Sequence, residues 1–137
     1  MPHDPARVAD CRAWLGRAVA DLESAGLLLA AVPPRADTAL FHCQQAVEKA
    51  LKAFLTWRDI PFRKTHNLEE IGEACLKLDS TLRDLVDRVV PLTEYAWKFR
   101  YPGELEEPSI EEARNALATA REMYEGIVDR LPVEVYP

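Results

Sequence analysis

Arg63, Lys64 and His66 lie in one short stretch, and Arg100-Tyr101 stands further down the chain. These are the side-chain types that handle phosphate and nucleobases. A guanidinium fork grips two phosphate oxygens at once, an imidazole takes or gives a proton near neutral pH, and an aromatic ring stacks on a base. His66 and Arg100 are therefore the catalytic candidates, with Lys49, Arg63, Lys64 and Tyr101 as binding candidates beside them. Each also has a plainer role open to it. His66 can help cap the helix that starts next to it while Arg63 and Lys64 stay solvated, and Arg100 can serve as a cation near the last carbonyls of a helix. Lys49 and Lys52 fall on a charged helix flank where Glu48 and Lys52 are spaced i to i+4. Trp14, Trp57, Trp97 and Tyr95 read as core or dimer-contact aromatics rather than stacking platforms.

Several chemistries are excluded. The five glycines are scattered singly, so no glycine-rich phosphate loop is present. His3, His42 and His66 never come within four residues of one another, and no metal box or cofactor motif appears. No candidate nucleophile has a motif around it. Arg35 and His42, near the start of the second helix, are read as a chance pairing. The three cysteines are an odd number without CxxC spacing, and all lie in apolar helical patterns, which points to buried free thiols and a reducing cytoplasm. The apolar runs are too short to cross a bilayer, and the first residues lack the pattern of a signal peptide, so no membrane is expected.

The elements that must position these residues are helical. From Val8, the positions Cys11, Leu15, Ala18, Leu22, Ala25 and Leu29 step by three and four along one stripe that Pro33-Pro34 must end. A second helix runs from about Asp37 to Arg58, with Leu40, Cys43, Val47, Ala50, Leu51 and Phe54 on its apolar edge and Gln45, Lys49 and Lys52 on another side. Pro61 closes the break after it. Asn67 starts a third helix, to about Leu78, as a capping box with Glu70. Asp79-Ser80 starts a fourth, which Pro91 must kink or split before Leu92, Tyr95, Ala96 and Phe99 continue its stripe, with Pro102-Gly103 as the stop. Ser109 opens the last helix in a capping box with Glu112, and its stripe runs to Leu131. The expected fold is all-α, an up-and-down bundle of four main helices plus a short fifth, in one domain over 1–137 with its core at about 8–131 and loose ends.

With 48% hydrophobic and 29% charged residues the chain has a globular balance. Its net charge of −6 argues against a broad basic surface for nucleic acid. Residues 49–66 are locally basic, whereas Glu104, Glu106, Glu107, Glu111 and Glu112 make an acidic run, an asymmetry suited to self-association or docking. Trp14, Leu28, Phe41 and Trp57 exceed what one side of each helix hides, so a two-fold dimer is expected.

The run Gln44-Gln45-Ala46-Val47-Glu48-Lys49-Ala50-Leu51-Lys52-Ala53-Phe54-Leu55, then His66-Asn67-Leu68-Glu69-Glu70-Ile71 and Phe99-Arg100-Tyr101-Pro102-Gly103, resembles the HEPN (higher eukaryotes and prokaryotes nucleotide-binding) domain. The resemblance implies a small helical domain, commonly a homodimer, often encoded beside a minimal nucleotidyltransferase in toxin–antitoxin modules. It carries over at Gln45, Lys49, His66, Asn67, Arg100 and Tyr101, which with Arg63 and Lys64 complete the ligand-binding set for a nucleotide or RNA. Catalytically active branches are metal-independent ribonucleases marked by an arginine followed four to six residues later by histidine. Here Tyr101, Pro102 and Gly103 follow Arg100, and no histidine comes after. The reading the resemblance favours is a nucleotide- or RNA-associated component of such a module. The alternatives are a ribonuclease toxin, with His66 deprotonating a ribose 2′-hydroxyl and Arg100 stabilising charge on phosphorus, and a non-catalytic interaction scaffold.

Overall fold

A computed structural model describes residues 2–103 and 106–137. Met1, Leu105 and Glu104, the first member of the acidic run, lie outside the described residues. Asp4 accepts the Ala6 N–H and Pro5 occupies the first turn, so α1 begins at the sequence's first opportunity and runs over Pro5–Ala30. Its stripe buries Cys11, Leu15, Ala18, Leu22 and Ala25. A short Pro33-Pro34 connection returns the chain as α2 (Ala36–Trp57), which lies against α1 along most of its length. Small residues on the facing sides, Ala18 and Ala25 of α1 and Ala39, Ala46 and Ala50 of α2, are fully or almost fully buried and let the helices approach closely.

The end of α2 is a reversal in which Asp59 takes a positive φ of 58°. Its N–H donates to the Thr56 carbonyl and that of Ile60 to the Leu55 carbonyl, the paired bonds that satisfy a helix's last carbonyls. α3 (Leu68–Leu76) follows, then a 3-10 turn at Ser80–Leu82 capped by Asp79, α4 (Arg83–Val89), and a second 3-10 segment at Val90–Ala96. α5 (Ile110–Val128) completes the bundle by packing on α2 and α1. No strand occurs among the described residues.

The all-α bundle is present, but three long helices dominate it. Pro91 has no N–H to donate and its ring crowds the preceding turn, so the fourth stripe does not continue as α-helix. It tightens to 3-10 geometry, keeps Leu92 and Ala96 buried, and then turns sharply at Phe99, whose φ is 66°. Both capping boxes are also half formed. Asn67 accepts the N–H groups of Glu69 and Glu70, yet the Glu70 carboxylate goes to Arg63 rather than back to Asn67. Ser109 accepts the Glu112 N–H, while the Glu112 carboxylate accepts the Tyr95 hydroxyl. A guanidinium outcompetes a neutral backbone amide for a carboxylate. After Leu131 the chain packs against α1. Val135 is fully buried in a 3-10 turn (Val133–Val135), and the Tyr136 hydroxyl donates to the Val128 carbonyl.

Candidate functional site

Along α2 two polar lines flank the apolar edge, each set by helical spacing. Thr38, His42 and Lys49 lie on one and Gln44, Glu48 and Lys52 on the other. The second line is buried, against the expectation that Lys52 belongs to an exposed flank. Gln44, Glu48 and Lys52 are 0%, 4% and 7% exposed. They survive burial because every charge and amide has a partner. Glu48 Oε2 accepts from Lys52 at 3.1 Å, Oε1 accepts from Gln44 at 3.3 Å and lies 2.7 Å from His66 Nδ1. Gln44 also donates to the His66 carbonyl at 3.1 Å. The Lys52 ammonium lies 5.5 Å and 5.6 Å from the ring centres of Trp14 and Phe62, so its remaining surroundings are aromatic faces. This network pins the α2–α3 connection to the side of α2.

His66 therefore does not cap α3. Asn67 does that alone, and Asn67's own N–H is satisfied by the Thr65 hydroxyl. Arg63 forks onto Glu70, its Nε and Nη2 each within 2.9 Å of a carboxylate oxygen, and the pairing holds the Glu70 carboxyl below its usual range, first through these hydrogen bonds. The basic stretch at 49–66 is thus largely neutralised in place by Asp21, Glu48 and Glu70. Lys64 is exposed and makes no ion pair among the described residues. The Gln45 side-chain amide donates to the side-chain oxygen Oε1 of Gln44 at 2.7 Å.

The first line meets Arg100. The sharp turn at Phe99, whose ring stacks on Tyr95 with centres 6.3 Å apart, swings Arg100 back over α2, where its guanidinium carbon lies 4.3 Å from the centre of the Phe41 ring. A positive φ at a bulky residue is strained, and here it is the device that re-aims the arginine. Asp37, Thr38, Phe41, His42, Phe99 and Arg100 enclose a cleft of about 390 Å³. Tyr101, 79% exposed, borders a separate hollow of about 140 Å³ with Asp37, Gly103 and Pro108.

His42 is held from behind. Its Nδ1 lies 2.7 Å from Asp21 Oδ1 on α1, and Asp21 Oδ2 accepts from Lys49 at 2.6 Å. Asp21 is buried, and the Lys49 ammonium together with the hydrogen bond to the His42 ring makes its burial tolerable. With Nδ1 committed, Nε2 is the ring nitrogen left to the cleft.

The candidates from the sequence thus separate. Lys49 stands behind the Arg100 cleft through Asp21, whereas His66 and Gln45 belong to the Glu48 network, Asn67 to a helix cap and Arg63 to a surface pair. His66 does not line the Arg100 cleft; His42 does. Sequence reasoning set His42 aside and missed Asp21. The available signal was Asp21 beside the stripe positions Ala18, Leu22 and Ala25, an acidic group at the edge of an apolar face.

The HEPN domain family matches this chain over residues 11–131. No curated protein and no solved structure matches it.

Proposed function

We propose, from the premise that this chain belongs to the HEPN domain family, a nucleotide- or RNA-related group, that it is the nucleotide- or RNA-binding component of a nucleotidyltransferase-linked toxin–antitoxin-type module. On this reading it works in the cytoplasm as a homodimer. HEPN domains often dimerise, and no helix among the described residues is long and apolar enough to cross a membrane. The module and its nucleotidyltransferase partner rest on the company that family members keep.

One observation carries the binding role. Arg100 and His42 reach one cleft from different parts of the chain, with the Thr38 hydroxyl and the Phe41 ring beside them. Two cationic or proton-donating groups, a hydroxyl and an aromatic face are what one phosphate and its nucleoside require. Fluorescence anisotropy with a short labelled RNA tests it. Arg100→Ala should weaken binding by about tenfold or more, the worth of a charge-assisted bidentate contact, with little change in melting temperature because Arg100 is exposed. Unchanged binding refutes the reading.

The Asp21–His42 pair favours a second reading, a metal-independent ribonuclease in which His42, rather than His66, is the base. Nε2 would take the proton of a ribose 2′-hydroxyl, the oxygen would attack phosphorus, and the bond to the 5′-oxygen would break as that oxygen takes up a proton. Arg100 would stabilise the five-coordinate phosphorus. With one such histidine per subunit, the purified protein is expected not to degrade RNA at the rate of a dedicated ribonuclease. Clear cleavage that His42→Ala abolishes would place this reading first.

A further inference from the structure

We infer that His42 makes phosphate binding in the Arg100 cleft proton-linked: the imidazole is neutral in the empty cleft and takes up a proton when a nucleotide phosphate enters. The inference deepens the proposed binding role and rests on it.

Among the described residues, four parts of the fold bring charged groups around His42. From α1 comes Asp21; from α2, Asp37 and Lys49; from the turn after the second 3-10 segment, Arg100. From α5, Arg121 packs over Gly26 and acts on neighbouring Cys43, and Glu112 is occupied by the Tyr95 hydroxyl. In the cleft Arg100 balances Asp37, and behind it Lys49 balances Asp21, so with neutral His42 there is no net charge to hold an anion. Lys49 already compensates Asp21 at 2.6 Å, so Asp21 has no need of a charged imidazole and is satisfied by a neutral Nδ1–H. Nε2 then carries a lone pair facing the cleft, and a lone pair repels a phosphate oxygen.

Protonation reverses both objections. Nε2–H becomes a donor to the phosphate while Nδ1–H keeps its bond to Asp21, and the cleft gains one positive charge. By linkage, a ligand that binds the protonated form more tightly raises the affinity of His42 for the proton by the same factor. Phosphate reaches the cleft either as a terminal monoester or as an internal diester, and both present the same oxygens.

The test is isothermal titration of the full chain with thymidine dinucleotide (dTpdT), whose single diester charge is fixed and which has no 2′-hydroxyl to react, and with thymidine 5′-monophosphate. Each is run in two buffers of different ionisation enthalpy, from about pH 5.5 to about pH 8.5, a window that brackets histidine. Wild type should take up at most about half a proton on binding dTpdT and bind it roughly tenfold more weakly at the alkaline end, both the effect of about one pKa unit of coupling. His42→Gln should bind weakly at all pH values without uptake. Asp21→Asn removes one negative charge, so it should bind more tightly than wild type at the alkaline end with a flattened profile, an outcome that simple loss of packing does not produce. Binding confined to the monophosphate, with uptake that His42→Gln abolishes, supports the inference and assigns a terminal phosphate. Binding of equal strength at every pH without uptake, or uptake that persists in His42→Gln, overturns the inference and leaves the cleft's binding role standing. Failure of wild type to bind either ligand at any pH overturns both.

Discussion

Glu48→Ala should be among the most damaging single polar substitutions in this chain. The Glu48 side chain is 5% exposed and, among the described residues, is the only anion bonded to Lys52, itself 9% exposed. Of its three partners two lose little. The His66 ring is 63% exposed and can turn to water, and Gln44 keeps its bond to the His66 carbonyl. Lys52 cannot escape, since its ammonium is walled by Trp14 and Phe62. Breaking a buried pair by removing one partner costs about 3–5 kcal/mol, because the remaining charge stays buried without compensation. For a domain of this length that corresponds to a fall in melting temperature of roughly 10–20 °C. Urea and thermal unfolding followed by circular dichroism measure it. The companion is Glu48→Met with Lys52→Met, which removes both charges at similar volume and should recover most of the loss. A cost below about 1 kcal/mol for Glu48→Ala, the level of a surface pair, or a double variant as unstable as the single, would refute the reasoning.

The two glycine positions Gly72 and Gly16 should respond in opposite directions: a β-carbon at Gly72 meets a methyl of buried Val86 at 2.6 Å, so Gly72→Ala should destabilise by about 1–3 kcal/mol. Gly16, inside α1 with nothing near its absent side chain, should gain about 0.5–1 kcal/mol on conversion to alanine, and chemical denaturation reads both. Burial pushes the thiols of Cys11 to about 11 and of Cys43 and Cys75 to about 12, so native protein at about pH 8 should resist a thiol-reactive dye and release three equivalents on unfolding; fast native labelling would contradict this. Asp79 is held below the usual carboxylate range, first by the Thr81 hydroxyl and N–H and then by Arg130. A depressed carboxylate adds stability that is complete above its unfolded value and fades as pH falls through the folded one. Asp79→Ala should therefore cost about 1 kcal/mol at neutral pH, the worth of a cap, and progressively less on acidification; a constant difference would be the wrong sign of behaviour.

The apolar architecture was legible because helical stripes depend only on spacing. Cys11, Leu15, Ala18, Leu22 and Ala25 on the first helix and Ala113, Leu117, Ala120 and Ile127 on the last are buried where the steps of three and four put them, while Tyr124 on the same stripe is half-buried. Pro33-Pro34 and Asp59 end helices near the positions expected, for reasons local to the backbone. What the sequence hid is mostly polar and mostly non-local. Lys52 reads as surface by type, and its burial follows from Trp14 on another helix and Phe62 in a loop. The carboxylates of Glu70 and Glu112 leave their capping boxes for Arg63 and Tyr95, partners that the box pattern does not contain. His42 gains meaning only when α1 supplies Asp21 and the turn at Phe99 returns Arg100 to α2. No spacing rule joins positions 21, 42 and 100, although Gln44, Glu48 and Lys52, spaced by four with matched polarity, did carry a readable sign of a line that could be buried as a unit.

The measurement that bears most directly on the account is NMR shift mapping of the protein during titration with dTpdT at mildly acidic pH, where His42 holds its proton most readily. The account expects the largest changes at Thr38, Phe41, His42 and Arg100, with the His42 ring signals moving toward the imidazolium position. Changes gathered instead at Arg63, Lys64 and His66, with the Arg100 cleft silent, would contradict it.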